Sequence, residues 1–239
     1  IPWSRYWVIG TTDTPWNEDL THPVPTARDI DYVLAEANKV LSVPLTPADV
    51  VGTWAGLRPL LQREMKEGTT SAKVSREHTV ASPAPGLVSI AGGKLTTYRV
   101  MAKDAVDFAL ESQAKTRPSV TANIPLAGAG GHGAGESVAK EIVRRFELAP
   151  TIANHLVHRY GSEVAEIAAI CAEEPSAAIP LAGAPAYLRA EVIFALRAEG
   201  ALHLDDLMHR RTRISYEYAN MGAAALEEVA AIAQDELGW

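Results

Sequence analysis

Residues 86–99 read Gly86-Leu87-Val88-Ser89-Ile90-Ala91-Gly92-Gly93-Lys94-Leu95-Thr96-Thr97-Tyr98-Arg99. Leu87, Val88 and Ile90 suit a short buried strand in a sheet covered on both faces, and they are too few for a membrane span. Gly92 and Gly93 remove the side chains where strand turns into helix, so that another group can approach the backbone closely. The helix runs on through Val100, Ala105, Val106 and Leu110 and fades near Lys115. Its first turn offers unpaired N–H groups, with Lys94 beside them and the hydroxyls of Thr96 and Thr97 following. Such a site favours negative charge or a polarised carbonyl. The plainer alternative is a strand–turn–helix whose glycines only permit the turn. The spacing is not the G-x-G-x-x-G dinucleotide fingerprint, which occurs nowhere in the chain, so this segment would close a cofactor site built elsewhere.

Upstream, Trp3 to Asp13 mixes aromatic and β-branched residues and reads as a strand leading to a polar turn. Pro15 to Pro25 is loop. Thr26 with Asp29 three residues on predicts a capped helix carrying Ile30, Val33, Leu34, Ala37, Val40 and Leu41 on its apolar stripe. Thr46-Pro47-Ala48-Asp49 predicts a short capped turn. Val50 to Leu61 reads as strand interrupted at Gly56, and Lys73 to Ala81 as another. Ile1-Pro2-Trp3 opens without methionine on strand-like sequence, which suggests a piece of something longer.

Downstream, Thr116 to Gly135 holds Pro118, Pro125 and the glycine-rich run Gly128 to Gly135. That run lacks the Lys-Ser/Thr of a nucleotide loop and reads as linker rather than ligand loop. From Glu136 onward the apolar spacing is helical throughout: Val138 to Phe146, Ile152 to Tyr160 ended by Gly161, Val164 to Cys171, Ala186 to Ala198, Leu204 to Arg210 and Ala223 to Leu237. The division is therefore residues 1–115, a linker over 116–135, and a helical domain over 136–239, an α+β organisation overall.

The 239 residues carry a formal charge of −7, so no basic surplus exists for nucleic-acid binding. One cysteine, Cys171, cannot form an internal disulfide and fits a buried small hydrophobe in a reducing compartment. The histidines show no metal spacing; His155 and His158 lie three apart on a helix with no third ligand, and no metal is expected. Arg58 sits in an apolar run and must have an anionic partner, either an internal carboxylate or a substrate phosphate or carboxylate. Arg76 has the same two readings. Lys94 at a helix start is electrostatically unfavourable unless an anion binds there. His78 reads as structural or surface. The basic run His209-Arg210-Arg211-Thr212-Arg213, preceded by Asp205 and Asp206, reads as internal salt bridging, with a nucleic-acid or acidic lipid surface as alternatives.

Four motifs stand in order: Ile9-Gly10-Thr11-Thr12-Asp13, Ala55-Gly56-Leu57-Arg58-Pro59-Leu60, Ser75-Arg76-Glu77-His78 and Gly92-Gly93-Lys94-Leu95-Thr96-Thr97-Tyr98-Arg99. Together they closely resemble the C-terminal half of the FAD-dependent, respiratory-type glycerol-3-phosphate dehydrogenases. Glu191 and Leu207 to Arg213 resemble part of that family's helical C-terminal domain. The resemblance implies the tail of an antiparallel substrate-cap sheet over Ile1 to about Ala81. The last strand and helix of a glutathione-reductase-like FAD domain would follow over Gly86 to about Ala114, and then the all-helical domain. It implies oxidation of sn-glycerol 3-phosphate to dihydroxyacetone phosphate, with FAD reduced and electrons passed to quinone. Arg58 and Arg76 would contact the substrate phosphate, and Lys94 would lie close to substrate and flavin. Gly92, Gly93, Lys94, Leu95 and Thr96 would face the flavin edge. It further implies a cytoplasmic protein, peripheral at the membrane, that partners a missing N-terminal FAD-binding half; a homodimer stays open.

The departures bear on activity. The dinucleotide fingerprint and the upstream cap segment that would carry a histidine base are absent, and Trp16 stands where the family more often has tyrosine. The isolated 239 residues are expected not to retain FAD and to be inactive. The competing readings are a non-catalytic helical interaction or scaffold fragment and part of a related flavin amine or hydroxy-acid oxidase. The latter would not need two arginines for a phosphate.

Overall fold

Small antiparallel hairpins and local helices make up the residues that the computed structural model describes, 1–3, 5–58, 60–61, 77–130 and 132–238. They separate into two units. One takes residues 1, 8–44 and 55–124; the other takes 2–7, 45–54 and 125–239.

In the first unit, helix α1 (Ala27–Asn38) starts where Thr26 and Asp29 require. The Asp29 carboxylate accepts the Thr26 N–H at 2.9 Å, and the Asp29 N–H donates to the Thr26 hydroxyl at 3.3 Å. Strands β3 (His78–Ala84) and β4 (Leu87–Gly92) pair antiparallel, with His78 opposite Gly92 and Val80 opposite Ile90, and the register slips between Ala81 and Ala84. A 3₁₀ turn at Leu95–Thr97 leads into α2 (Tyr98–Leu110), and a second at Glu111–Lys115 ends it, close to the expected fade.

Two expectations change here. The β4 strand is not covered on both faces: Leu87 is 53% and Ile90 38% exposed, and no residue of α1, β3, β4 or α2 is buried. A two-stranded ribbon with single helices cannot enclose a core among its own residues. The run from Val50 to Leu61 forms no strand over residues 51–58, since no partner strand pairs with it among the described residues. Pro59 within it, and residues 73–76 at the start of the run from Lys73, lie outside the described residues.

The second unit holds the core. Helices α3 (His132–Arg145), α4 (Pro150–Tyr160), α5 (Val164–Glu173) and α6 (Arg189–Arg197) follow the predicted spacing. Ile142, Ile152, Leu156, Val164, Ile167, Cys171 and Phe194 meet in one cluster. Each fully buried aliphatic side chain of this kind contributes about 1.5–3 kcal/mol relative to exposure. The expected helix from Ala186 begins later than predicted, because Ala184–Leu188 is strand β6, paired antiparallel with β5 (Pro180–Leu181). The hairpin's Tyr187 and Leu181 join Val192, Leu207, Ile214 and Val229 in a second cluster. Asp206–Arg211 winds as a π-helix, followed by the four-residue α7 (Ile214–Glu217) and by α8 (Ala223–Leu237). The expected N-terminal strand is reduced to the two-residue arms β1 (Pro2–Trp3) and β2 (Tyr6–Trp7), which pair with each other. Thr46 and Asp49 cap a 3₁₀ turn at Pro47–Asp49, as expected. Among the described residues no helix is long and apolar enough to cross a membrane.

Candidate functional site

The turn after β4 is built by close backbone approach. Gly92 and Gly93 have φ of +78° and +77°, a region that side chains disfavour. A Cβ on Gly92 would lie 2.9 Å from the Glu77 carbonyl oxygen and 3.1 Å from Leu61 Cδ1. One on Gly93 would lie 2.6 Å from Met101 Sδ. The chain's own atoms fill the space that the glycines vacate, so that side of the turn offers no cradle.

The other side is open. Lys94 is extended, with φ −133° and ψ 149°, and precedes the first turn. Its carbonyl accepts both the N–H and the hydroxyl of Thr97 at 3.0 Å, which consumes the Thr97 side chain locally. Leu95 is 88% exposed, and Lys94 and Thr96 are exposed beside it. No ion pair to Lys94 is found among the described residues. A cation next to the positive end of a helix with no carboxylate to offset it is a place where an anion gains from both.

The four motifs are joined pairwise within this unit. Arg58 Nε lies 3.2 Å from Asp13 Oδ2, so the second motif's arginine pairs with the first motif's aspartate. Its internal carboxylate is thereby identified, while the Arg58 side chain stays 41% exposed. Leu61, just past the second motif, packs on Gly92 of the fourth, and Glu77 and His78 of the third meet Gly92 and Gly93. His78 Nε2 lies 2.9 Å from Asp104 Oδ2 on α2, a structural partner that fits the plainer reading of this histidine. Arg76 lies outside the described residues.

The helical unit contains a polar cluster whose wiring the sequence does not show. Glu191 is fully buried and accepts the Leu188 N–H at 2.8 Å and the Tyr160 hydroxyl at 2.9 Å, with His155 Nε2 also at 2.9 Å. Arg159 brings its Nε to 3.9 Å from the same carboxylate and donates to the Arg211 carbonyl. Tyr187, also fully buried, donates to Glu217 at 2.9 Å. Burial pushes the Tyr160 and Tyr187 hydroxyls above the usual phenol range, with Glu191 reinforcing the first. Burial also pushes the Cys171 thiol up to about 11. The sequence signal for the cluster is Glu191 itself, an acid inside the apolar run Ala190 to Leu196. His155 is spent on it, and among the described residues no group of three His, Cys, Asp or Glu side chains could hold a metal.

The basic run is largely engaged inside the unit. Arg210 pairs with Asp206 at 2.9 Å, and Arg213 lies over the Trp3 ring at 4.9 Å.

Residues 119–239 match a family described as the C-terminal domain of alpha-glycerophosphate oxidase. The chain is 49% identical over 240 residues to glycerol-3-phosphate dehydrogenase 2 of Mycobacterium tuberculosis strain H37Rv, an alignment covering all of this chain and 40% of that protein. It is 48% identical to glycerol-3-phosphate dehydrogenase of Mycobacterium leprae strain TN, with the same coverage. It is 34% identical over 247 residues to the human mitochondrial glycerol-3-phosphate dehydrogenase, covering all of this chain and 33% of that protein. The chain thus spans 40% of the length of the mycobacterial relatives.

Proposed function

We propose, from the premise that this chain belongs to the family carrying the C-terminal domain of alpha-glycerophosphate oxidase, that it acts within a longer FAD-dependent glycerol-3-phosphate dehydrogenase. Its reaction is the oxidation of sn-glycerol 3-phosphate to dihydroxyacetone phosphate, with electrons passed on to quinone at a membrane surface. The observation that carries this reading is the 49% identity to a glycerol-3-phosphate dehydrogenase along the whole of this chain. The exposed faces of α1, β3, β4 and α2 fit a first unit that completes its packing against an FAD-binding half.

The residues after β4 suit one edge of a flavin. FAD, when bound, supplies the acceptor for the hydride that leaves the substrate carbon. Lys94 and the first-turn N–H groups at Leu95 and Thr96 place positive potential where negative charge develops during that transfer. Gly92 and Gly93 shape the turn that carries them. Arg58, partly exposed and paired with Asp13, holds the substrate phosphate and thereby positions the carbon to be oxidised. Arg76 is assigned the same anion by its motif.

The test uses the full-length protein with an artificial electron acceptor and glycerol 3-phosphate, glycine or lactate. Turnover is expected with glycerol 3-phosphate alone. Arg58→Ala removes a charge-assisted contact worth about 1.5–3 kcal/mol and should raise KM roughly 10- to 150-fold. Lys94→Met should lower kcat by about 100-fold or more, since it removes charge stabilisation during transfer. Preferential turnover of lactate or glycine would overturn the assignment. Titration of the 239-residue chain with FAD is expected to show no tight binding.

A further inference from the structure

Helix α2 lies back against the ribbon that it leaves. Its fourth residue, Met101, packs on the glycine turn: a Cβ on Gly93 would stand 2.6 Å from the Met101 sulfur and 3.1 Å from the Cβ of His78. Three residues on, Asp104 Oδ2 lies 2.9 Å from His78 Nε2. Met101 and Asp104 are i and i+3, so they share one face of α2. His78 is the first residue of β3, opposite Gly92 at the end of β4. One histidine therefore meets both the turn and the helix that follows it, and the whole joint lies within the first unit.

The contact has a direction. An ionised carboxylate only accepts, so His78 Nε2 carries the proton and donates it to Asp104. The other Asp104 oxygen has Lys103 Nζ at 3.6 Å, and that lysine donates to Asp107 at 2.6 Å. Partly exposed as they are, at 21% and 39%, His78 and Asp104 contribute little to folding by pairing. What the pair fixes is the axis of α2. A helix attached only at its start can swing about that point, and a second attachment at Asp104, about 9 Å along the axis from Tyr98, removes the swing. The direction of that axis is also the direction in which the N–H groups of the first turn point.

We infer that His78 and Asp104 are positioning residues for the helix start: by pinning α2 to the end of the ribbon, they aim the Leu95 and Thr96 N–H groups and the neighbouring Lys94. This rests on the reading of the turn after β4 as the flavin edge. Neither His78 nor Asp104 need touch flavin or substrate; their effect passes through the axis of α2.

The experiment uses the full-length holoenzyme and the variants Asp104→Ala, His78→Ala, Asp104→Asn and Lys94→Met. It measures kcat per bound flavin, KM for glycerol 3-phosphate, and the two-electron midpoint potential of the bound flavin. Asp104→Ala and His78→Ala are expected to lower kcat about tenfold with KM within about twofold of wild type, because misaimed donors weaken a stabilisation that arises only during transfer. The potential should fall by about 30 mV, the equivalent of a tenfold change in the reduction equilibrium, because less positive potential faces the negative charge of the reduced flavin. Asp104→Asn keeps an oxygen for the His78 N–H and should recover most of both. A purely structural role would lower flavin content and melting temperature while leaving kcat per flavin and the potential alone. Asp104→Ala changes the more exposed partner and keeps the test open if His78→Ala does not fold. Wild-type kcat and potential in Asp104→Ala, with both lowered in Lys94→Met, overturn the positioning role, as does an Asp104→Asn variant no better than Asp104→Ala. Wild-type kcat and potential in Lys94→Met overturn the flavin-edge reading beneath it.

Discussion

Replacing Glu191 by alanine removes the acceptor on which three donors of the helical unit converge. The Leu188 N–H at 2.8 Å loses its partner at the start of α6, and the Tyr160 hydroxyl and His155 Nε2, each at 2.9 Å, lose theirs. Arg159 loses the only carboxylate with which it forms an ion pair among the described residues, 3.9 Å from its Nε. A buried donor left without a partner costs about 1–3 kcal/mol, and breaking a buried charge pair from one side costs about 3–5 kcal/mol. These terms overlap, since one water entering the cavity can serve two donors, so the expected loss is about 3–5 kcal/mol rather than their sum. Glu191→Gln keeps one oxygen for the Leu188 N–H and fills the same volume, so its loss should be smaller, roughly 1–3 kcal/mol. Urea unfolding of the 239-residue chain, followed by circular dichroism at a helix wavelength, measures both. The reasoning is refuted if Glu191→Ala costs less than about 1 kcal/mol, or if glutamine proves worse than alanine.

Stability should fall on the alkaline side. Cys171, Tyr160 and Tyr187 hold their protons more tightly in the folded state than in the unfolded chain, so unfolding releases protons as pH rises. Their contribution is complete below pH 9.0, the ordinary value for the thiol, and is first lost as Cys171 titrates towards about 11. Above pH 10 the two tyrosines steepen the loss, each group adding up to about 1.4 kcal/mol per pH unit. Urea midpoints measured from pH 8 to 11 should show this slope, and Cys171→Ala should flatten its first part. Leu87→Ser and Val106→Ser change residues that are 53% and 56% exposed in this chain, so each should lower its stability by no more than about 1 kcal/mol. The same changes in the full-length protein should lower its melting temperature if the FAD-binding half covers these faces; unchanged melting would place that half elsewhere.

Local chemistry was the legible part. Thr26 with Asp29 and Thr46 with Asp49 each close a cap over three residues, so both appear where the sequence puts them. The apolar spacing of α3, α4, α5 and α8 is helical and strong, and Cys171 falls on the buried side. The start of the Ala186–Ala198 run is ambiguous in sequence because Leu188, an inward residue of the expected helix, fits equally a strand that turns inward. Pairing of β6 with β5 decided between them. The partner of Arg58 could be required but not named, since Asp13 is 45 positions away and is one carboxylate among 29 Asp and Glu residues. Glu191 is the same problem seen from the acid, with His155 and Tyr160 on a different helix. The exposure of β4 was illegible because an apolar run demands a covering surface without saying which residues supply it.

The clasp between Trp3 and Glu217 joins residues 214 positions apart, which sets a timetable for synthesis. At about 5–20 residues per second, the ribosome needs roughly 10–40 s after making Trp3 before Glu217 exists to receive it. Throughout that interval the Trp3 indole N–H and the Tyr6 hydroxyl lack the Glu217 acceptors that they have in the folded chain. Arg5, in their midst, later lies over the rings of Tyr6 and Tyr218. Its second ring waits equally long, since Tyr218 is made directly after Glu217.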